Sequence, residues 1–509
     1  MKAVFVLSDS LNRHFLPSYG NDWVQAPNID RLARRSVTFD NHWIGSAPCM
    51  PARRDILTGR LNFLEREWSG LEPFDRPFTR LLRNNGIHTH METDHYHYFH
   101  VGGENYHTQF GSWRFHRGQE WDVWASTIRP PEEPEHMGQW NAQYARNRER
   151  FTSESEYPTP RTFQGAVDWL KANEGEDDYF LWIEAFDPHE PFDAPEEYRE
   201  LYSDDWTGPL YNWSDYKQAR REPEAVEHLR RCYAATLTMM DRWLGRLLDE
   251  LERQGSMEDT LIIFTTDHGH MLGEHGITGK NWFHGWNEMT RIPLLVHLPG
   301  DRLAGERRGQ LTQNIDIMPT LLDYYGLEAE GPIHGESWMP ILEANTSSRR
   351  QAALYGWFGQ SVNVTDGRCT YFRAPAREDN QPLYRHFLTP GTFRSIYGLH
   401  DIAVPEFYDG AELGRFLPYS DFPVLRSRKT APVKTEWGDN RLYDIREDPE
   451  QSNDLCGTDI EPRYRRLLEE TMRKMDSPPS QYERLGLEQP ERAASRGSTA
   501  QPDPTASGE

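Results

Sequence analysis

The chain has 509 residues, 37% of them apolar, enough to bury a large core and more than one ordinary domain needs. With 80 acidic and 56 basic residues its net charge is −24, which excludes a nucleic-acid binder and requires that an anionic substrate be met by a local basic pocket. Cys49, Cys232, Cys369 and Cys456 are too scattered for a disulfide framework or a cysteine zinc site. No apolar run reaches membrane-spanning length, and Ala3 to Leu7 is too short for a signal peptide, so the expectation is a soluble, cytoplasmic protein without a membrane partner.

Lys2 to Leu7 is a continuous β-branched and aromatic run, a buried strand with Asp9 at its carboxyl end. Ligands of open parallel α/β sheets bind outside such ends, although an acid there can equally cap a helix. Pro27 to Arg35 reads as helix and Ser36 to Phe39 as extended. Pro51 then suits a first helical turn that Gly59 stops. Cys49 therefore stands at a helix start, where free N–H groups and the macrodipole favour an anion, and Arg53 lies one turn on. A lone cysteine there is ordinarily a core residue; the pattern Cys49-x-Pro51-x-Arg53 with Thr58-Gly59-Arg60 sets this one apart.

Phe78 to Asn85 is a short helix, and Ile87 to Thr93 alternates like a strand before Asp94-His95-Tyr96-His97-Tyr98. Residues 102 to 160 show little periodicity and read as a long, pocket-shaping loop with short elements. Within it Trp113, Arg114, His116, Arg117 and Gln119 are candidate substrate contacts. A helix over Arg161 to Ala172 precedes an unbroken hydrophobic strand, Tyr179 to Phe186, ending in Asp187-Pro188-His189-Glu190.

Leu237, Met240, Leu244, Leu247 and Leu251 mark a long amphipathic helix. The strand Leu261 to Thr265 carries Thr266-Asp267-His268-Gly269, Ile292 to His297 is a fourth strand, and Asp316 to Tyr325 is a closing helix. This alternation predicts an α/β fold with a mostly parallel central sheet flanked by helices. Beyond about Leu342 come short strands at 353–357, 361–364, 369–373 and 440–445, with a hairpin at Asp366-Gly367 and a terminal helix over 461–475. The expected organisation is an α/β catalytic domain over 1–345, a smaller antiparallel α+β domain over 346–476, and a disordered tail over 477–509.

Asp9, His189 and Asp267-His268 thus stand at three strand ends beside the Cys49 helix, a set suited to a divalent cation. Taken with Gly273-Glu274-His275-Gly276, Gly279-Lys280, Asn314-Ile315-Asp316, Pro319-Thr320-Leu321, Leu442-Tyr443-Asp444 and Asp448-Pro449, in this order, the chain resembles the type I sulfatases of the alkaline phosphatase superfamily. The resemblance implies the alkaline-phosphatase-like fold and one divalent metal ion. It also implies oxidation of Cys49 to formylglycine by a maturation enzyme, and hydrolysis of a sulfate ester of a sugar, oligosaccharide or aryl group.

Residue by residue it implies Asp9, residue 49, Asp267 and His268 as metal ligands, with Ser10 a weak ligand or none because many relatives carry an acid there. His268 stands where asparagine is frequent; its softer imidazole keeps Mn²⁺ open beside Ca²⁺, the leading choice. Arg53 would stabilise the nucleophile, Lys280 would hold sulfate oxygens, His189 would serve the leaving oxygen, and Arg117 joins the substrate contacts. The family's Gly-Lys-x-His is altered to Asp94-His95-Tyr96-His97, so the lysine is missing and either His95 or His97 takes the base role. Two other functions fit the same residues: a phosphonate monoester or phosphodiester hydrolase of the superfamily, and a non-catalytic anion-binding protein that keeps a Cys49 thiol.

Overall fold

The computed structural model describes residues 1–218, 220–281, 284–344, 350–389, 410–429 and 438–488. At its centre lies an eight-stranded sheet, formed by β1 (Lys2–Ser8), β2 (Val37–Phe39), β3 (His88–Thr93), β4 (Ser112–Phe115), β5 (Tyr179–Ala185), β6 (Thr260–Thr266), β7 (Leu294–His297) and β8 (Arg307–Arg308). The order is β8-β2-β7-β6-β1-β5-β3-β4, and from β6 through β4 every neighbouring pair is parallel. β7 runs antiparallel to both β6 and β2. The architecture is therefore the expected mostly parallel α/β sheet.

Both faces of this sheet are covered, which is why β1, β5 and β6 read as near-continuous apolar runs. Val4 and Val6 pack on one face with α1 (Pro27–Arg34), α3 (Pro158–Ala172) and the 31-residue α4 (Pro223–Arg253). Ala3, Phe5 and Leu7 pack on the other with α2 (Cys49–Thr58) and α5 (Ile317–Tyr324). A second sheet has the order Arg441–Asp444, Cys369–Arg373, Val362–Thr365, Ala353–Trp357, Ser46–Ala47. Its edge strand is the pair of residues just before the Cys49 helix, so the late strands help seat that helix.

Two elements differ from the sequence expectation. The run from Ile292 to His297 is split by Pro293, which has no N–H for the ladder: Arg291–Ile292 pairs with His42–Trp43, and only Leu294–His297 joins the central sheet. The short elements of the 102–160 loop are edge strand β4 and a helix over Ala142–Arg148. The supposed disordered tail begins with a helix over Pro479–Arg484, and Tyr482, Leu485 and Leu487 bury their side chains against the second sheet and the helix Glu461–Lys474. The rest of that tail, 489–509, lies outside the described residues.

Candidate active site

Register brings the site together. Ser8 pairs with Ala185 on one side and Thr266 on the other, and Thr93 pairs with Glu184, so four neighbouring parallel strands end at one level. Asp9, His189, Asp267-His268 and His95 follow those ends directly. α2 starts at Cys49 beside them and ends at Gly59, whose φ of 65° is left-handed and whose N–H bonds back to Asp55 O at 2.8 Å.

Asp55 anchors this helix. Its carboxylate accepts from Ser46 N and Oγ and from Asn62 N and Nδ2, tying the strand before Cys49 to the chain after α2. Asp55→Asn puts an NH₂ group among four donors, and we expect a loss of about 3 kcal/mol in chemical denaturation. A midpoint shift equivalent to less than about 0.5 kcal/mol would mean that the network does not hold the helix.

Around Cys49, Asp9, Asp267 and His268 each offer a donor atom, and all four donors lie within 4.8 Å of one another and are buried. His268 Nδ1 donates to Gly269 O at 2.9 Å, which leaves the Nε2 lone pair facing the Cys49 Sγ at 3.3 Å and Asp267 at 3.3 Å. Two carboxylates and an oriented imidazole lone pair fit a divalent cation of the Ca²⁺ or Mn²⁺ kind. Burial, then the charge of Asp9, pushes the Cys49 thiol well above its ordinary range.

Arg53 is fully buried and reaches back as its spacing from Cys49 predicts: Nη1 donates to the Cys49 carbonyl at 3.0 Å and to Asp267, Nη2 to Asp9 at 2.7 Å, and Nε to Glu184 at 2.7 Å. Lys280 Nζ donates to Ser10 Oγ at 2.7 Å and lies 3.6 Å from Asp9 and 3.8 Å from Glu190. Ser10 in turn donates to Asp9 Oδ1 at 2.7 Å, so its hydroxyl links Lys280 to Asp9. His189 Nδ1 bonds the Glu190 carbonyl at 2.6 Å and leaves Nε2 as an acceptor; burial and Lys280 lower its pKa well below the usual value, so the ring is neutral at rest.

His95 approaches the cluster, with Nδ1 3.9 Å from Asp9 and 4.0 Å from Glu184, and neither ring nitrogen has a hydrogen-bond partner among the described residues. His97 stands 5.0 Å from His95, edge-on to Trp68. Arg117 is not joined to the cluster by a contact among the described residues; its guanidinium forks onto Asp122 at 2.6 and 2.7 Å. Gln119 bonds Asp94 at 2.9 Å, behind the strand ends. Sequence reasoning overlooked Glu184, which binds Arg53, and Glu190, which is fully buried beside Lys280 with both carboxylate oxygens lacking a hydrogen bond among the described residues. The signal for Glu184 was present as an acid inside an apolar strand run.

Comparison with known proteins matches residues 2–327 to the family model described as Sulfatase. Among curated relatives, the multifunctional alkaline phosphatase superfamily protein PehA of Trinickia caryophylli is 28% identical over 444 residues, covering 74% of this chain and 84% of that one. The N-acetylglucosamine-6-O-sulfatase of Bacteroides thetaiotaomicron is 23% identical over 486 residues, covering 80% of each. Among solved structures, BT4656 in complex with its substrate D-glucosamine-2-N,6-O-disulfate superposes with a TM-score of 0.65 at 18% identity, over 93% of this chain and 98% of that one.

Proposed function

Because this chain belongs to the sulfatase family, we propose that it hydrolyses a sulfate ester through residue 49, matured from Cys49 to formylglycine by a dedicated enzyme, beside one divalent cation, calcium before manganese. The observation that carries this function is the convergence of Cys49, Asp9, Asp267 and His268 at one buried point, with Arg53 and Lys280 against it.

Asp9, Asp267 and His268 would hold the cation, which when bound supplies Lewis acidity toward residue 49 and the sulfate oxygens. A hydrated aldehyde at position 49 supplies one hydroxyl to attack sulfur and a second whose deprotonation breaks the bond to sulfate. Arg53 holds the backbone of residue 49 and adds a fixed positive charge. Lys280 is the cation placed to take sulfate oxygens, with Ser10 orienting it. His189 presents an acceptor nitrogen and can protonate the leaving oxygen only after gaining a proton. His95, whose ring nitrogens have no hydrogen-bond partner among the described residues and whose Nδ1 lies 3.9 Å from Asp9, is the better candidate for the base than His97.

A sulfated mono- or oligosaccharide is the substrate class we favour, supported by the sugar sulfatase among the relatives. A cytoplasmic setting belongs to the same proposal and rests on four free cysteines; no helix of the described residues is long and apolar enough to cross a membrane. Phosphonate monoester or phosphodiester hydrolysis is the competing activity, named for two solved structures of similar fold, both phosphonate monoester hydrolases. Two measurements decide. Mass spectrometry of the peptide holding residue 49 should find an aldehyde, and unmodified thiol throughout would point to anion binding without catalysis. Side by side, 4-nitrophenyl sulfate should be turned over faster than phenyl phosphonate esters; the reverse order overturns the sulfatase assignment.

A further inference from the structure

We infer that Glu184 is a positioning residue, a carboxylate reserved for Arg53 that leaves Asp9 and Asp267 to the divalent cation; this rests on the cation site proposed above. Arg53 has three carboxylates in contact, Asp9, Asp267 and Glu184, every one fully buried. Two of them belong to the set that would ligate the cation, and the same lone pairs cannot serve a guanidinium and a metal ion at full strength. A doubly positive ion balanced by Asp9 and Asp267 would leave the buried Arg53 charge to the third carboxylate alone. A buried guanidinium without a counter-charge is strongly unfavourable.

Glu184 is built for that task. Period-2 alternation along β5 puts it on the same face as Phe180 and Trp182, the face that packs on α2. Its Oε1 accepts from Arg53 Nε at 2.7 Å, and its Oε2 accepts from Tyr98 Oη at 2.6 Å and from Trp182 Nε1 at 3.2 Å. Three donors keep it oriented. The contact is made through Nε, so the two terminal nitrogens stay turned toward residue 49, where Nη1 holds the carbonyl. Lys280, the other cation of the site, has a separate acid in Glu190 at 3.8 Å. Each permanent positive charge thus has a carboxylate outside the ligand set.

The test uses the full chain and three variants. Glu184→Gln keeps the shape and the acceptor for Tyr98 and Trp182 but removes the charge; Glu184→Asp restores charge at a shorter reach. After chelator treatment, calcium affinity is read by titration calorimetry, and kcat and KM are read on 4-nitrophenyl sulfate, with thermal melting as the control for folding. The Gln variant should bind calcium about tenfold or more weakly, as outer-shell partners of metal sites do. Its kcat should fall about 30-fold with KM within about threefold, because Arg53 acts on residue 49 and the transition state rather than on ground-state binding. The Asp variant should recover part of both.

Affinity and kcat in the Gln variant both within twofold of wild type, or an Asp variant no better than Gln, would overturn the role. Should the Gln variant fail to fold, Glu184→Asp is compared with Tyr98→Phe, which removes one donor and no charge, and an Asp variant that binds calcium no more weakly than Tyr98→Phe would overturn it equally. The titration needs no turnover. A wild-type chain that binds calcium but hydrolyses no sulfate ester would refute the proposed function and still judge Glu184, whereas a wild-type chain that binds no calcium would refute both.

Discussion

Cys49→Ala should lower kcat/KM for a sulfate ester by at least about 10⁴-fold while the protein folds as before, because removal of a covalent nucleophile leaves only binding and electrostatic contributions. Position 49 is 2% exposed, and its side chain meets His268 Nε2 at 3.3 Å and Asp9 at 3.9 Å at the edge of the apolar cluster that packs α2 on the sheet. Deleting one sulfur there costs about 1 kcal/mol of packing at most, small beside the stability of a large domain. The helix start itself is held elsewhere, by Asp55 on Ser46 and Asn62. Turnover on an aryl sulfate and a melting curve on the same preparation separate the two effects. Activity above about 1% of wild type in a folded Cys49→Ala protein would exclude residue 49 as the nucleophile.

The strands and their end residues were legible because a parallel strand covered on both faces has no polar side to show, as in Lys2–Ser8 and Thr260–Thr266. Once such strands are aligned, Asp9, Asp267 and His268 come together without further information, since register places the residues after Ser8 and Thr266 at one level. Features decided by a single residue were harder. Pro293 divides a run of apolar residues between two sheets. β4 pairs only at its one edge, and its middle residues Trp113 and Arg114 are exposed, so it carries no apolar alternation to detect. The helix at Pro479–Arg484 lies in a stretch whose charge and proline suggest disorder, yet Tyr482 and Leu485 find a groove that only the fold creates.

Site chemistry divides the same way. A motif with fixed spacing, Cys49 to Arg53, is a local helical relation, and the structure shows the contact it predicts. Glu184 and Glu190 act across elements, on Arg53 and Lys280 from other parts of the chain, and no spacing announces them. Ser10 looked like a candidate ligand because of its place after Asp9. Its backbone N–H donates to Asp267 at 3.0 Å and its hydroxyl links Lys280 to Asp9, so its hydrogen bonds orient the surrounding acids and the ammonium. In the segment after β3 imidazoles stand where the family resemblance implies a lysine, and Arg53 and Lys280 are the cations in contact with Asp9.

Lys280 therefore carries the second large expected effect. Burial alone would lower its pKa, but the negative charges of Glu190, Asp9 and Asp267 outweigh it and hold the ammonium charged above its usual range. Lys280→Met should lower kcat/KM by about 10³-fold, the scale of losing one preorganised charge aimed at a developing anion. Lys280→Arg should not rescue it, since a planar fork cannot occupy the place of a compact ammonium beside Ser10 and Asp9. Stability should fall as well, by about 3 kcal/mol, because Glu190 loses its cation while buried.

That loss has a pH signature. Burial raises the Glu190 carboxyl from 4.5 to about 7, against the pull of Lys280, and removing Lys280 raises it further. A carboxyl raised in the native state binds a proton there that the unfolded chain has released, so stability falls as pH rises from about 4.5 through the folded pKa. The gap between Lys280→Met and wild type should be narrow near pH 5 and widest above pH 8 by denaturation. Adding Glu190→Gln to Lys280→Met should close the stability gap above pH 8 and leave activity lost, a double-mutant cycle that divides the structural role from the chemical one. A double variant that regains turnover would show that Lys280 serves only to neutralise Glu190 and does not hold the sulfate.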